Sequence, residues 1–197
     1  MKTIVIAVLA GIAFLAGTLA DAQAPIRVRG TITGVSGDVI AVKTGDGRNV
    51  DIHLGEKTNI VFAQPIAVGE IKPGDFLAVT SLKRQDGTLA AYDVRRFPKP
   101  VNPGHRPFDG GDDQTMTNAA LSTMVDTTKG RELTLSYEGG SQKVVVADTA
   151  AISTLVPGQR SQLVAGSYVN LTYAPEADGK LAARNIEVRK TAPKLPQ

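Results

Sequence analysis

Apolar residues recur along this chain with a period of two, in short runs closed by glycine- and aspartate-containing turns. Arg29 to Val35 and Val39 to Lys43 are rich in β-branched residues and are separated by Ser36-Gly37-Asp38. Gly45-Asp46-Gly47 follows, a hairpin signal because glycine supplies the positive φ that tight turns need. Val50, Ile52 and Leu54 alternate with Asp51 and His53, the pattern of a strand with one wet face. Pro73-Gly74-Asp75 introduces Phe76 to Ser81, and Asp86-Gly87 turns the chain into Thr88 to Arg96. Later the pattern returns as Glu132 to Tyr137, Lys143 to Ala147, Tyr168 to Tyr173 and Lys180 to Arg189. A helical period is absent apart from about one turn near Ala67 to Ile71.

The return is a duplication. Residues 51–96 align with 143–188 at a constant offset of 92, with nine identities in 46 positions. Ile60 meets Ile152, Pro65 meets Pro157, Gly74 meets Gly166 and Thr80 meets Thr172. Asp86-Gly87-x-Leu89-Ala90-Ala91 meets Asp178-Gly179-x-Leu181-Ala182-Ala183. A gapless register that keeps turns and apolar positions together marks a repeated structural unit. Five or six short strands per copy predict an all-β protein of two tandem small OB-like antiparallel barrels, since closure removes exposed sheet edges. A small open sandwich or SH3-like barrel is the second choice. The expected division is a signal peptide over 1–22, a first barrel over 25–97, a linker over 98–114, a second barrel over 115–190 and a tail over 191–197. Units of about 70 residues have marginal cores, so the two barrels should pack on each other.

The first segment changes the expected address. Met1-Lys2 precedes an apolar run from Thr3 to Ala20, and Ala20-Asp21-Ala22 and Ala22-Gln23-Ala24 both fit a small-x-small cleavage pattern. Cleavage after Ala22 is preferred to Ala24, which would leave Pro25 next to the cut; the alternative is a retained anchor. The expectation is a periplasmic or secreted protein with no membrane span in its mature part.

Composition narrows the chemistry. The 197 residues carry 22 Lys+Arg and 19 Asp+Glu, a net charge of +3, and no Cys or Trp. So weak a basic excess does not suggest nucleic-acid binding, and the lack of Trp gives poor stacking platforms. The cysteine count rules out disulfides, thiolate metal sites and a cysteine nucleophile. Neither a nucleophile elbow, a P-loop nor a dinucleotide fingerprint occurs, and His53 and His105 are the only histidines. The reading is therefore non-enzymatic, with no cofactor, and an envelope hydrolase is the last of its alternatives. Lys83-Arg84, Arg95-Arg96 and Lys99, with Arg27 and Arg29, could form a basic face for an anionic polymer or lipid surface. Asn170-Leu171-Thr172 matches a glycosylation sequon but falls in a predicted strand, where it is read as incidental.

The joining segment is the candidate functional surface. It is proline-rich, hence extended, yet carries His105, Arg106, Phe108 and carboxylates, unlike a featureless linker. The candidate binding residues are Gly104, His105, Arg106, Pro107, Phe108, Asp109, Thr115, Met116, Thr117 and Asn118. The partner would be an unknown envelope protein or small ligand. Imidazole and carboxylates suit a divalent metal, so His105 and Asp109, with Asp112, Asp113 and the thioethers of Met116 and Met124, form an alternative metal site. The plainer reading is that His105 and Asp109 pin the segment by hydrogen bonds. His53 reads as an exposed strand residue.

The pattern G-T-I-x-x-V-x-G-x-x-I-x-V-K-T-x-D-G (Gly30 to Gly47), with I-K-P-G-D (Ile71 to Asp75) and D-G-x-L-A-A, resembles a family of exported bacterial β-rich domains of unknown function. G-H-x-P-[WF]-D (Gly104 to Asp109) and T-M-T-N-A (Thr115 to Ala119) resemble its two-copy subgroup, in which Trp is expected where this chain has Phe108. Some of that family carry the label of a metal transporter permease. The lack of a second long apolar run argues against that label for this chain.

Overall fold

Alternation along β1 (Ile26–Ser36) puts Val28, Ile32 and the closely packed Gly30 inward, and β2 (Val39–Thr44) answers with Ile40, Val42 and Thr44. The computed structural model describes residues 26–108, 111, 113–128, 130–176 and 178–196. The expected signal peptide over 1–22 and the site candidates Asp109 and Asp112 lie outside them. Gly37, at φ 55°, turns β1 into β2, which pairs antiparallel with β3 (Asn49–His53). β4 (Asn59–Pro65) and the 3-10 turn Val68–Glu70 lead into the hairpin of β5 (Phe76–Lys83) and β6 (Leu89–Phe97). A short β7 (Gly104–Pro107) opens the second half. It is followed by β8 (Gln114–Thr127), β9 (Gly130–Tyr137) and the long β10 (Gly140–Pro157). A second 3-10 turn, Arg160–Gln162, precedes β11 (Tyr168–Pro175) and β12 (Leu181–Arg189). The described fold is all-β, as the alternation predicts.

The pairing corrects the expectation of one barrel per copy. β1, β2 and β3 close into a five-stranded barrel with β12 and β11 of the other copy, through a parallel bridge between His53 and Ala182 and antiparallel pairing of β11 with β1. The remaining halves do the same. β5 and β6 are ringed by β10, β9 and β8, with β10 parallel to β6 at Val145–Ala90. Each ring encloses its own apolar core. Ile32, Ile40, Ile52, Leu171 and Ile186 fill the first, and Leu77, Val79, Leu121, Leu133 and Leu135 the second.

The exchange is carried by two strands that the period-two reading passed over. β4 runs out of the first ring and the end of β10 runs out of the second. They pair antiparallel to each other, with Ala63 opposite Leu155. β4 also pairs with β12, and the end of β10 with β6. Ile60-Val61-Phe62 and Ile152 to Val156 are β-prone. As strands they place their backbone donors and acceptors in ladders, which a buried loop could not do. The one helical turn expected near Ala67 to Ile71 is present as 3-10 geometry. Among the described residues no helix is long and apolar enough to cross a membrane.

Candidate functional site

The sequence-derived candidates from the two sides of the joining segment meet as neighbouring strands. β7 lies antiparallel on β8, pairing Gly104 with Asn118, His105 with Thr117, Arg106 with Met116 and Pro107 with Thr115. Gly104 enters at φ 130°, in the region that favours glycine. His105 Nδ1 lies 2.9 Å from the Thr117 hydroxyl, and half-burial of the ring lowers its pKa below 6.5. The amide of Asn118 donates to the Val101 carbonyl at 2.9 Å, and Arg106 to that of Asn102 at 3.1 Å. The first bond anchors the start of the segment to β8, and the second braces the segment on itself. Arg106 and Pro107 are exposed, and Thr115 is half-buried.

The metal candidates do not converge among the described residues. His105 is engaged with Thr117, Asp113 is exposed and Met124 is half-buried against the core of the second ring. Met116 is buried, its sulfur accepting from Thr80 at 3.8 Å and Arg95 at 3.9 Å. No group of three or more His, Asp or Glu suited to a metal occurs among the described residues. His53 is half-buried in β3.

Phe108 leads from this segment to the more informative place. Its ring lies 4.5 Å from the guanidinium of Arg29 on β1, a cation–π distance. Phe108 and Gln114 then help to line a cavity of about 240 Å³ between β6, β11 and β12. The floor is a buried network of four charges. Arg189 donates to Asp93 at 2.9 Å and also to Glu187. Arg95 donates to Glu187 at 2.8 Å, and its Nε lies 3.4 Å from Asp93 without hydrogen-bond alignment. All four side chains are at most 9% exposed, and two cations balance two anions. Burial opposes ionisation of Glu187, yet Arg95 and Arg189 hold its pKa below 4.5. Burial likewise works against the charge of Arg189, and Asp93 and Glu187 more than restore it. Glu187 and Arg189 are thus held ionised at neutral pH, which suits recognition and packing rather than proton transfer.

Two tyrosines form the walls. The Tyr92 hydroxyl donates to Gln114 at 2.6 Å, and burial, helped by Asp93, pushes its pKa up to about 12. Burial also raises Tyr168, whose hydroxyl makes no hydrogen bond among the described residues. Asn170, half-buried beside it, has a free side-chain amide there. Tyr168 and Asn170 thus offer unspent polar groups above a rigid charged floor.

The expected basic face is dispersed. Arg95 points into the network, Arg96 pairs with Asp75 at 3.6 Å and bonds to the Glu70 carbonyl, and Arg29 sits over Phe108. Of the Arg95-Arg96 pair only Arg95 is buried, and Arg96 stays half-buried. A signal was available: Arg95 and Glu187 stand at equivalent repeat positions, 92 residues apart, with opposite charge.

These shifts set the acid and alkaline limits of stability. His105 and Glu187 have depressed folded pKa values, so their contributions are full above 6.5 and 4.5 and disappear as pH falls through the lower folded values. Tyr92 is raised, so its contribution is full below 10 and disappears as pH rises toward about 12. Denaturant midpoints measured across pH should fall gently below 6.5, more steeply below 4.5, and again above 10. Glu187→Gln should remove the steeper acid limb and leave the gentle one. Compared with known proteins, the chain matches no family model, no curated protein and no solved structure.

Proposed function

We propose that the chain is an exported, non-enzymatic binding module of the cell envelope, built on OB-like barrels, that takes a small polar ligand in the cavity between Phe108 and the buried charge network. The carrying observation is the Tyr168 hydroxyl and the Asn170 amide, which make no hydrogen bond among the described residues, over a floor of four mutually paired charges. A floor already neutralised cannot collapse onto an incoming group, so it holds the wall residues in place. At about 240 Å³ the space is below the range of about 300–1,000 Å³ for drug-sized ligands, and suits a single amino acid or monosaccharide. Five strands with one parallel closure per ring support the OB-like assignment. The charged-tipped apolar run before Asp21 supports export.

Thermal-shift titration with free amino acids, monosaccharides and small dicarboxylates tests the reading. One class should raise the melting midpoint, by several degrees at about 100 times Kd, where ligand binding adds about 2.7 kcal/mol. Phe108→Ala and Tyr168→Phe should each weaken that binding at least about tenfold. A panel with no binder tighter than about 1 mM, or a binder indifferent to both substitutions, refutes the site.

A further inference from the structure

A second space abuts the cavity. Along one face of β11, Tyr168 lines the cavity, Asn170 lines both spaces and Thr172 lines a groove of about 660 Å³. Neighbouring β12 repeats that order with Arg189, Glu187 and Asn185, and β1 with Arg29 and Arg27. The registers put Asn170 between Arg29 and Glu187, and Thr172 between Arg27 and Asn185. At about 3.3 Å per residue, this face runs about 13 Å from Tyr168 in the cavity to Thr172 in the groove. Most of the remaining lining is apolar: Phe97, Pro98 and Val101 of the joining segment, with Val61, Leu155 and Pro157. The duplication alone does not make this groove. About the approximate twofold axis between β4 and the end of β10, Val61, Leu155 and Pro157 correspond to Ser153, Ala63 and Pro65. That equivalent place holds about 350 Å³ and, among the described residues, shares only Arg189 with the cavity.

The polar groups of the groove are largely spent. The Asn59 amide donates to Asn185 Oδ1 at 3.2 Å, and the Asn185 amide to the Thr172 hydroxyl at 3.4 Å. Arg95 and Glu187 are bonded to each other at 2.8 Å. A peptide finds no ladder to join, because β4, the end of β10, β11 and β12 are each paired on both edges. Its backbone donors and acceptors would lose water there without gaining partners. A hydrocarbon chain has no such groups to desolvate. The one polar group left for a ligand where the two spaces meet is the Asn170 amide, which makes no hydrogen bond among the described residues. We propose that the ligand is a single-chain amphiphile. Its head, the size of an amino acid or monosaccharide, occupies the cavity and its apolar chain lies in the groove. The amide, ester or glycosidic oxygen that joins them meets Asn170. This inference rests on the cavity reading and adds the class of ligand to it.

Calorimetric titration of the full chain with matched pairs of compounds, below their micelle concentrations, tests this. The pairs are methyl and octyl glucoside, and the N-acetyl and N-octanoyl forms of alanine, glutamate and lysine. In at least one pair the long-chain member should bind at least about tenfold more tightly, since burying roughly two methylenes already accounts for that factor. V101D places a carboxylate on the groove wall at an exposed position, where the fold tolerates it. It should bring the ratio of the two affinities to about one. Y168F acts in the cavity, so it should weaken both members and keep the ratio. Equal affinity within every pair, with the short-chain members weakened by Y168F, overturns this inference and leaves the cavity reading standing. A ratio that survives V101D overturns it as well. So does trivaline binding more tightly than every long-chain member, which would assign the groove to a polypeptide. If no member of any pair binds, the cavity reading fails and this inference falls with it.

Discussion

Replacing Arg189 by methionine should cost about 3–5 kcal/mol, the price of leaving a buried charge without its partner. Arg189 is the one side chain that bonds both Asp93 and Glu187 within the buried network. Without it, two carboxylates share Arg95, whose Nε is already poorly aligned with Asp93 at 3.4 Å. The loss is a large fraction of the ~5–15 kcal/mol that stabilises a typical domain. Denaturant unfolding at pH 7 should show the midpoint fall with little change in slope. The companion experiment separates pairing from desolvation. Asp93→Asn combined with Arg189→Met leaves Arg95 with Glu187 alone, and should recover at least half of the loss. If the single and double variants are equally unstable, the network is not held by charge balance.

The second large effect is steric. Gly30 is paired with Thr44 on β2 and Val169 on β11, with no room for a side chain. A Cβ there would overlap the Lys43 carbonyl oxygen and come within 2.8 Å of Val42 Cγ1. The obstructing atom is backbone of Lys43, which is paired with Thr31 on one side and Asn49 on the other, so the strands must separate for any side chain to fit. Gly30→Ala should cost about 3 kcal/mol, at the upper end of overpacking penalties. Gly34, four residues along the same strand, has nothing within 4 Å of its added Cβ. Gly34→Ala should be neutral or stabilise by up to about 1 kcal/mol, through the unfolded chain. Equal effects at the two positions would show that strand propensity, not the close approach, decides.

How far the sequence carried the fold depends on what period-two alternation can encode. It finds strands with one buried face, such as β2 and β3, and it finds turns at Gly37 and Gly87. It found neither β4 nor the outer half of β10, because Ile60-Val61-Phe62 and Ala150-Ala151-Ile152 lie half-buried without clean alternation. More fundamentally, a duplication makes the two copies interchangeable as partners. The hydrogen-bonding edge that β6 offers to β10 is the one β12 offers to β3, so alternation cannot say whose hairpin closes which barrel. The departures from symmetry do carry that information.

The site was legible to the same degree. The segments 104–108 and 115–118 were singled out by composition, and they do meet, as β7 on β8. Phe108 and Gln114 reach the cavity, whereas His105 spends its Nδ1 on Thr117. The charged floor was invisible because Asp93, Arg95, Glu187 and Arg189 sit in strands whose two faces are both covered. There a charge looks like the wet face of an amphipathic strand until its partner is known. Tyr168 entered the sequence reading only as the start of a strand, and its hydroxyl gains meaning only beside Asn170.

The crossing of β4 with the end of β10 also decides what a break in the polypeptide would do. Each ring is completed by a hairpin donated from across the axis, so neither half can be withdrawn without unlacing both cores. Covalent continuity through residues 98–103 is therefore incidental to cohesion. A nick there converts one molecule into a clasped pair rather than two fragments.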